Sequence, residues 1–293
     1  MSLTLQLVIT GIAVGAMYGL VALGFVIIYN VTGVLNFAQG TFPMLGGLIM
    51  VSLTGAHLPA PLAIALDALI VALVGMGFGA LAVLTFKGES PLPPIIVTLG
   101  LSVAFEGIAM FVWSFNPLSY PGFSGSSALY FLGAAIYPQA LWLIGVALIL
   151  MLLAYGFFEL TFLGKAVRAC SLNRRAARLI GIDVNLMAFL AFGLSAATGA
   201  IVGAVVTPLT TMSFNSDLDL AVNGFAAAIF GGLENPMAAV AGGIVLGVIG
   251  TLAQGYIGNG FDVVAALILM LIVLLSRPQG LFANMFTARA KAA

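Results

Sequence analysis

Long runs of residues with almost no charge and few hydrogen-bonding side chains dominate the chain: residues 5–29, 61–86, 94–115, 139–161, 185–207, 237–254 and 262–276. A hydrocarbon layer about 30 Å thick is crossed by about 20 apolar residues in helical form. Lipid offers no partner to a free backbone N–H or C=O, so such runs have to be helices. Two further stretches depart from the pattern. Residues 34–54 are interrupted by Asn36, Gln39, Gly40 and Pro43, and residues 220–233 would extend only about 20 Å at 1.5 Å per residue. Irregular or short segments persist at membrane depth only where protein or a polar cavity covers them. The expected fold is an all-α polytopic membrane protein. It is a compact bundle of eight or nine crossings, including short or broken helices, in a single domain over residues 1–293.

Charged residues make up 6% of the chain and hydrophobic ones 62%, against about a quarter charged in an ordinary soluble domain. So little charge excludes a soluble enzyme, and so much apolar side chain excludes disorder. Nine basic and nine acidic residues cancel, which leaves no net field for a nucleic-acid partner. Cys170 is the single cysteine, so there is no internal disulfide, and without neighbouring His or Cys it makes no metal site. No Lys or Arg precedes the first apolar run, unlike the start of a cleavable signal peptide, so that run is expected to be retained as a span.

The basic residues set the expected orientation. Lys165, Arg168, Arg174, Arg175 and Arg178 lie in one segment between two spans, which places that segment, residues 162–184, in the cytoplasm. Walking along the chain puts Lys87 on the same side. Arg277, Arg289 and Lys291 follow if residues 220–233 cross as a broken span. The N-terminus is then outside and the C-terminus cytoplasmic. The outer connections are residues 55–60, 116–138, 210–219 and 255–261, and the long one is expected to form an ordered external cap.

Glycines four apart (Gly11, Gly15 and Gly19; Gly75 and Gly79; Gly199 and Gly203; Gly243 and Gly247) make smooth stripes that let helices approach closely. Packing within the chain is the expected use, ahead of a dimer seam.

Catalytic constellations are nearly absent. Gly122-Phe123-Ser124-Gly125 imitates the start of an intramembrane serine protease, but the lone histidine, His57, lies in a different outer connection, and the serine needs a base. Gly164-Lys165-Ala166 lacks the glycine and hydroxyl of a phosphate-binding loop, so the chain is not expected to hydrolyse ATP. Acids within spans are costly and informative. Glu106 lies mid-span and Asp67 about two turns into its own, each as a pathway group or as a structural acid. The interruption at Asn36–Gly40 offers amides that can hydrogen-bond a polar or zwitterionic solute without fixed charge. The short crossing at Asn223 is its counterpart, since discontinuous helices often line a solute route. Interhelical hydrogen bonding is the other use of these groups.

Residues 164–183 read as two short helices around a polar break at Ser171–Asn173. Val167, Leu172, Ala176, Leu179 and Ile180 are expected on one apolar face with the cations pointing out. That pattern suits a helix docking in a partner's groove or one lying on the lipid surface.

Five stretches carry a family resemblance: residues 15–30 with Tyr18, Leu20 and Gly24; Asn36–Gly40 with Met44-Leu45-Gly46; Thr98-Leu99-Gly100-Leu101; residues 164–182 running into 188–203; and Phe225 to Leu233. In this order the chain resembles the membrane subunits of bacterial branched-chain amino-acid (Liv-type) ABC importers, the H-like subunit more than the M-like one. The resemblance implies a permease subunit in the bacterial inner membrane with no catalysis and no cofactor of its own. Its partners would be a second homologous permease, two ABC ATPase subunits and a periplasmic solute-binding protein. Gly164, Lys165, Arg168, Ala169, Asn173, Ala176, Ala177 and Gly181 would be ATPase-coupling residues, alongside the cations Arg174, Arg175 and Arg178. Asn36, Gln39, Thr98, Glu106 and Asn223 are the candidate solute pathway. Branched-chain or other small amino acids are the expected cargo. Gln39 stands where the family often has His, and Glu234-Asn235-Pro236-Met237 where relatives tend towards Gly-Ser-Pro-Gly. The competing reading is a self-sufficient secondary carrier or channel coupled through Asp67 and Glu106.

Overall fold

The computed structural model describes residues 2–85, 92–125, 127–131, 134–233, 235–277 and 280–282. Lys87, Glu234, Arg289 and Lys291 lie outside the described residues. In chain order the elements are α1 (Ser2–Thr32), a 3₁₀ turn (Phe37–Gly40), α2 (Thr41–Gly55), α3 (Ala60–Thr85), α4 (Leu92–Trp113), strands β1 (Leu129–Phe131) and β2 (Ala134–Ile136), α5 (Pro138–Leu160), α6 (Phe162–Leu172), α7 (Arg174–Leu179), α8 (Val184–Thr210), α9 (Ser216–Gly231), α10 (Pro236–Tyr256) and α11 (Phe261–Ser276). Among the described residues, seven helical segments are long and apolar enough to cross a membrane: α1, the 3₁₀ turn with α2, α3, α4, α5, α8 and α10. The helices α9 and α11 have 16 residues each, about 24 Å of rise, and any crossing beyond seven rests on them.

Glycine stripes decide how the spans pack, because lipid gives helices no hydrophobic reward for associating and close backbone contact takes its place. A Cβ on Gly15 would lie 2.7 Å from the Gly243 carbonyl oxygen, and one on Gly247 only 2.2 Å from the Gly15 Cα. The α1 and α10 backbones therefore run in contact, antiparallel, with Gly11 against Val248 and Gly19 against Val240. Gly75 and Gly79 meet Ala196 and Phe192 of α8, and Gly199 and Gly203 meet Phe42 and Pro43 of α2. All four stripes are used within the chain, as expected. Of the spanning-length helices α1 is the most enclosed and α4 the least.

In the described part of the connection between α4 and α5, the two strands pair antiparallel with Leu129 opposite Ile136. Among the described residues this hairpin, with the isolated Leu118–Met212 bridge, is the departure from an all-helical chain. The connection is pinned to the end of α8 by a backbone defect. Pro208 lies inside α8 and has no N–H, so the carbonyl four residues earlier, at Ala204, loses its helical donor. The buried Tyr120 hydroxyl donates to that carbonyl. Next to it Gln139 Nε2 donates to the Val205 carbonyl at 2.7 Å, and Gln139 Oε1 accepts from the Phe123 N–H at 3.1 Å.

The α5–α6 corner and the C-terminal end of α1 lie at one end of the bundle, beside the start of α10 and residues 280–282, which bond to the end of α9. The described basic residues gather there. The hairpin, with the ends of α2, α4 and α8, lies at the opposite end.

Two outcomes are expected. Gly15→Val pushes a side chain into the α10 backbone at an overpacking cost of about 1–3 kcal/mol, so the detergent-solubilised protein loses its monodisperse elution. Gly77→Val, where a Cβ meets nothing within 4 Å, leaves it unchanged. Tyr120→Phe leaves the Ala204 carbonyl unpaired and lowers stability by about 1–3 kcal/mol. In a Pro208→Ala background, which restores the N–H, that loss shrinks, and a double-mutant thermal-unfolding cycle measures the difference.

Candidate functional site

Two regions carry groups that hydrophobic packing does not explain. The first surrounds the 3₁₀ turn between α1 and α2. Asn36 is extended (φ −95°, ψ 101°) and its Oδ1 caps the turn by accepting from the Ala38 N–H at 3.1 Å. The Thr98 hydroxyl on α4 accepts from the Phe37 N–H at 3.3 Å and donates to the Ile95 carbonyl at 3.0 Å. Gln39 is enclosed, and its Oε1 accepts from Ser195 Oγ of α8 at 2.8 Å. Glycine is required around it: a Cβ on Gly24 would fall 2.1 Å from Gln39 Nε2, and one on Gly40 1.9 Å from the Asp217 carbonyl oxygen.

Both amide nitrogens here, Asn36 Nδ2 and Gln39 Nε2, are buried with no hydrogen-bond partner. An amide N–H left unpaired in a low-dielectric interior is costly, so hydrophobic packing does not account for these two donors.

A chain of hydroxyls leads away from the turn. Thr41 and Ser102 hydroxyls lie 3.0 Å apart, and Ser102 donates to Asp217 Oδ2 at 2.7 Å, linking α2, α4 and the first turn of α9. Glu106 is partly exposed one turn beyond Ser102 on the same face of α4. Asn223 does not join this group. Ala221 approaches Gly40 and Phe225 packs on Phe37, while Asn223 sits between them in sequence, about 200° round the helix. Its Nδ2 donates to the Asp219 carbonyl at 3.0 Å and its Oδ1 is buried without a partner. The structure thus gathers Asn36, Gln39 and Thr98, leaves Glu106 on an adjoining face, and turns Asn223 away. Ser195, Ser102 and Asp217 were missed. Asp217 had been expected in an outer connection; it lies inside α9, buried, because that helix starts at Ser216.

Asp67 is fully buried in α3 and neither carboxyl oxygen has a hydrogen-bond partner. The antiparallel pairing of residue 75 with 196 and 79 with 192 brings it to the level of Ala204, whose carbonyl Tyr120 reaches. Burial first, and the nearby Asp67 charge second, push the Tyr120 phenol up.

The second region is α6–α7. Thr161 caps α6, accepting from the Gly164 N–H at 3.0 Å, and a Cβ on Gly164 would collide with the Phe157 carbonyl oxygen at 2.0 Å. Asn173 breaks the two helices as expected, its Oδ1 accepting from the Arg175 and Ala176 N–H groups at 3.0 Å each. Gly181 ends α7 at φ +89°. The expected apolar face is split. Val167 turns inward with Ala177 and Cys170, whereas Leu172, Leu179 and Ile180 are 85%, 88% and 74% exposed. The cations are split too. Lys165, Arg175 and Arg178 are exposed. Arg168 pairs with Glu159 at 2.6 Å. Arg174 turns inward, its Nε donating to the Val31 carbonyl of α1 at 2.7 Å. Burial, then Arg178, lowers the Arg174 pKa, and burial raises that of the Cys170 thiol. Ala176 is exposed beside the cations and Ala169 half-buried.

Comparison with known proteins completes the picture. The family described as "Branched-chain amino acid transport system / permease component" matches residues 7–275. The chain is 28% identical to the high-affinity branched-chain amino acid transport system permease protein BraD of Pseudomonas aeruginosa, over 94% of this chain and 95% of that one. It is 25% identical to the ribose import permease protein RbsC of Escherichia coli, over 89% of this chain and 82% of the relative. Among solved structures, PsaBC from Streptococcus pneumoniae in complex with Fab shares the fold with a TM-score of 0.50 at 14% identity, covering 99% of this chain and 96% of that one. With the spanning helices and the motif order on which the resemblance stands, the match places this multi-pass membrane protein in the branched-chain amino-acid transport permease family.

Proposed function

We propose that the chain is the transmembrane permease subunit of an ATP-driven ABC importer of the bacterial inner membrane, with branched-chain or other small amino acids as cargo. It works with a second homologous permease, two ABC ATPase subunits and a periplasmic binding protein that delivers the solute. ATP hydrolysis belongs to the partners. The observation that carries this reading is the exposed set Leu172, Leu179 and Ile180 beside Arg175 and Arg178 on a segment outside the spanning-length helices. Apolar side chains ringed by cations suit a groove in a protein partner. Arg174 and Gly164 act from inside, holding that surface against α1 and α5.

In this reading, closure of the ATPase pair on ATP moves α6–α7, and the bundle exchanges one access state for the other. The solute route runs past Thr98, Asn36 and Gln39, and the unpaired amide donors of Asn36 and Gln39 suit a carboxylate or another polar acceptor. Glu106 supports a route along α4: an acid at that depth faces a bundle interior or a water-filled cavity rather than lipid, and α4 is the least enclosed span. The second permease would cover that face. The ribose permease among the relatives shows how widely cargo varies on related chains, so the amino-acid assignment rests on the amides and on the closer-matching BraD.

Two outcomes are expected. Purification of the tagged chain from its host in mild detergent recovers a second permease and two ATPase subunits, and uptake requires ATP. A solitary chain that still transports without an ATPase overturns the reading in favour of an autonomous carrier. Leu179→Glu with Ile180→Glu lowers uptake at least tenfold and loses the ATPase subunits on purification, while expression, topology and elution of the chain stay unchanged. Normal uptake in that variant removes α7 from the docking surface.

A further inference from the structure

A crevice of about 520 Å³ opens between the hairpin connection and the first three turns of α5, within the size range of sites that hold organic ligands, about 300–1,000 Å³. Its composition is graded along the helix. Ser124 and Ser127 lie at the top, and Trp142 Nε1 donates to Ser124 Oγ at 2.8 Å. Below them the wall is Leu141, Gly145 and Ile149, four residues apart and therefore one stripe of α5.

The stripe continues without a break into Leu148, Leu152 and Leu153, which are exposed on a helix of spanning length. The crevice is thus a notch in the membrane-facing surface. Its depth is fixed by tryptophan. The chain has two; Trp142 lies in the second turn of α5 and Trp113 is the last residue of α4. Both sit at the end of the bundle remote from α6–α7, and paired tryptophans mark the boundary between headgroups and acyl chains.

From this juxtaposition we propose that the crevice is a phospholipid site. One acyl chain lies along Leu141, Gly145 and Ile149, and the ester or headgroup oxygens are at the level of Ser124 and Ser127. Gly145 is what opens the notch: a Cβ there meets nothing within 4 Å, so a larger side chain would occupy lipid space without disturbing the protein. The site is separate from the polar turn and from α6–α7, and does not depend on what the chain carries.

The test uses the full transporter in detergent, titrated with phosphatidylethanolamine brominated on one acyl chain, in a Trp113→Phe background, and the Trp142 signal is taken as the part of the quenching that is lost when Trp142→Phe is added. Saturable quenching at one lipid per chain is expected, with Gly145→Leu weakening it at least tenfold. Gly156→Leu, on the same helix outside the crevice and equally free of neighbours, leaves it intact. Native mass spectrometry of the unmodified complex counts one retained phospholipid per chain, lost in Gly145→Leu. Quenching that never saturates, saturable quenching unaffected by Gly145→Leu, or a notch already filled by another subunit so that no lipid is retained, each overturns the proposal.

Discussion

Backbone contact between α1 and α10 is the constraint on which the other packing depends. With Gly15 and Gly247 almost touching, α1 is drawn into the middle of the protein, and α8, α9 and the 3₁₀ turn pack round it. Lipid solvates apolar side chains as well as another helix does, so this closeness, with its dispersion, and the hydrogen bonds between helices select one arrangement over others. A side chain anywhere on the stripe would move the central helix outward and take with it the enclosure of Asn36, Gln39 and Asp217.

That enclosure makes the polar turn possible. Irregular backbone at membrane depth has to be satisfied by protein, and here three helices contribute: Thr98 from α4, Ser195 from α8 and the first turn of α9 through Asp217. The same logic operates at the other end of α8, where Pro208 removes a donor and Tyr120 replaces it. In both places a local fault in helical bonding is repaired by a distant residue, and the repair fixes the position of the segment that supplies it.

Much of this was legible in the sequence, for physical reasons. Spans follow from apolar length, stripes from glycine spacing, and the break at Asn173 from a capping side chain between two helical stretches. The stretch 34–54 declared itself by its amides and proline. What could not be read was direction. Nothing local says that Arg174 turns towards Val31 while Arg175 faces out, because that depends on where α1 ends relative to α7. Leu172 and Val167 are equally apolar, yet one is covered and the other bare. Asp217 looked like a loop acid because the turn before α9 is polar; its burial is set by Gly40 and Ser102, far away in the chain. Asn223 and Gln39 share a chemistry but not a face, and only the rotation of α9 separates them.

The inward turn of Arg174 has a mechanical consequence. α7 is a short rod clamped at both ends, by the Asn173 cap and the left-handed Gly181, and bolted at its first residue to the end of the central helix. A push on its outer surface is therefore not absorbed by a loose loop. It would act as torque on the last turn of α1, and from there along the glycine seam to α10, so the exposed α7 is tied to the most enclosed of the spanning-length helices.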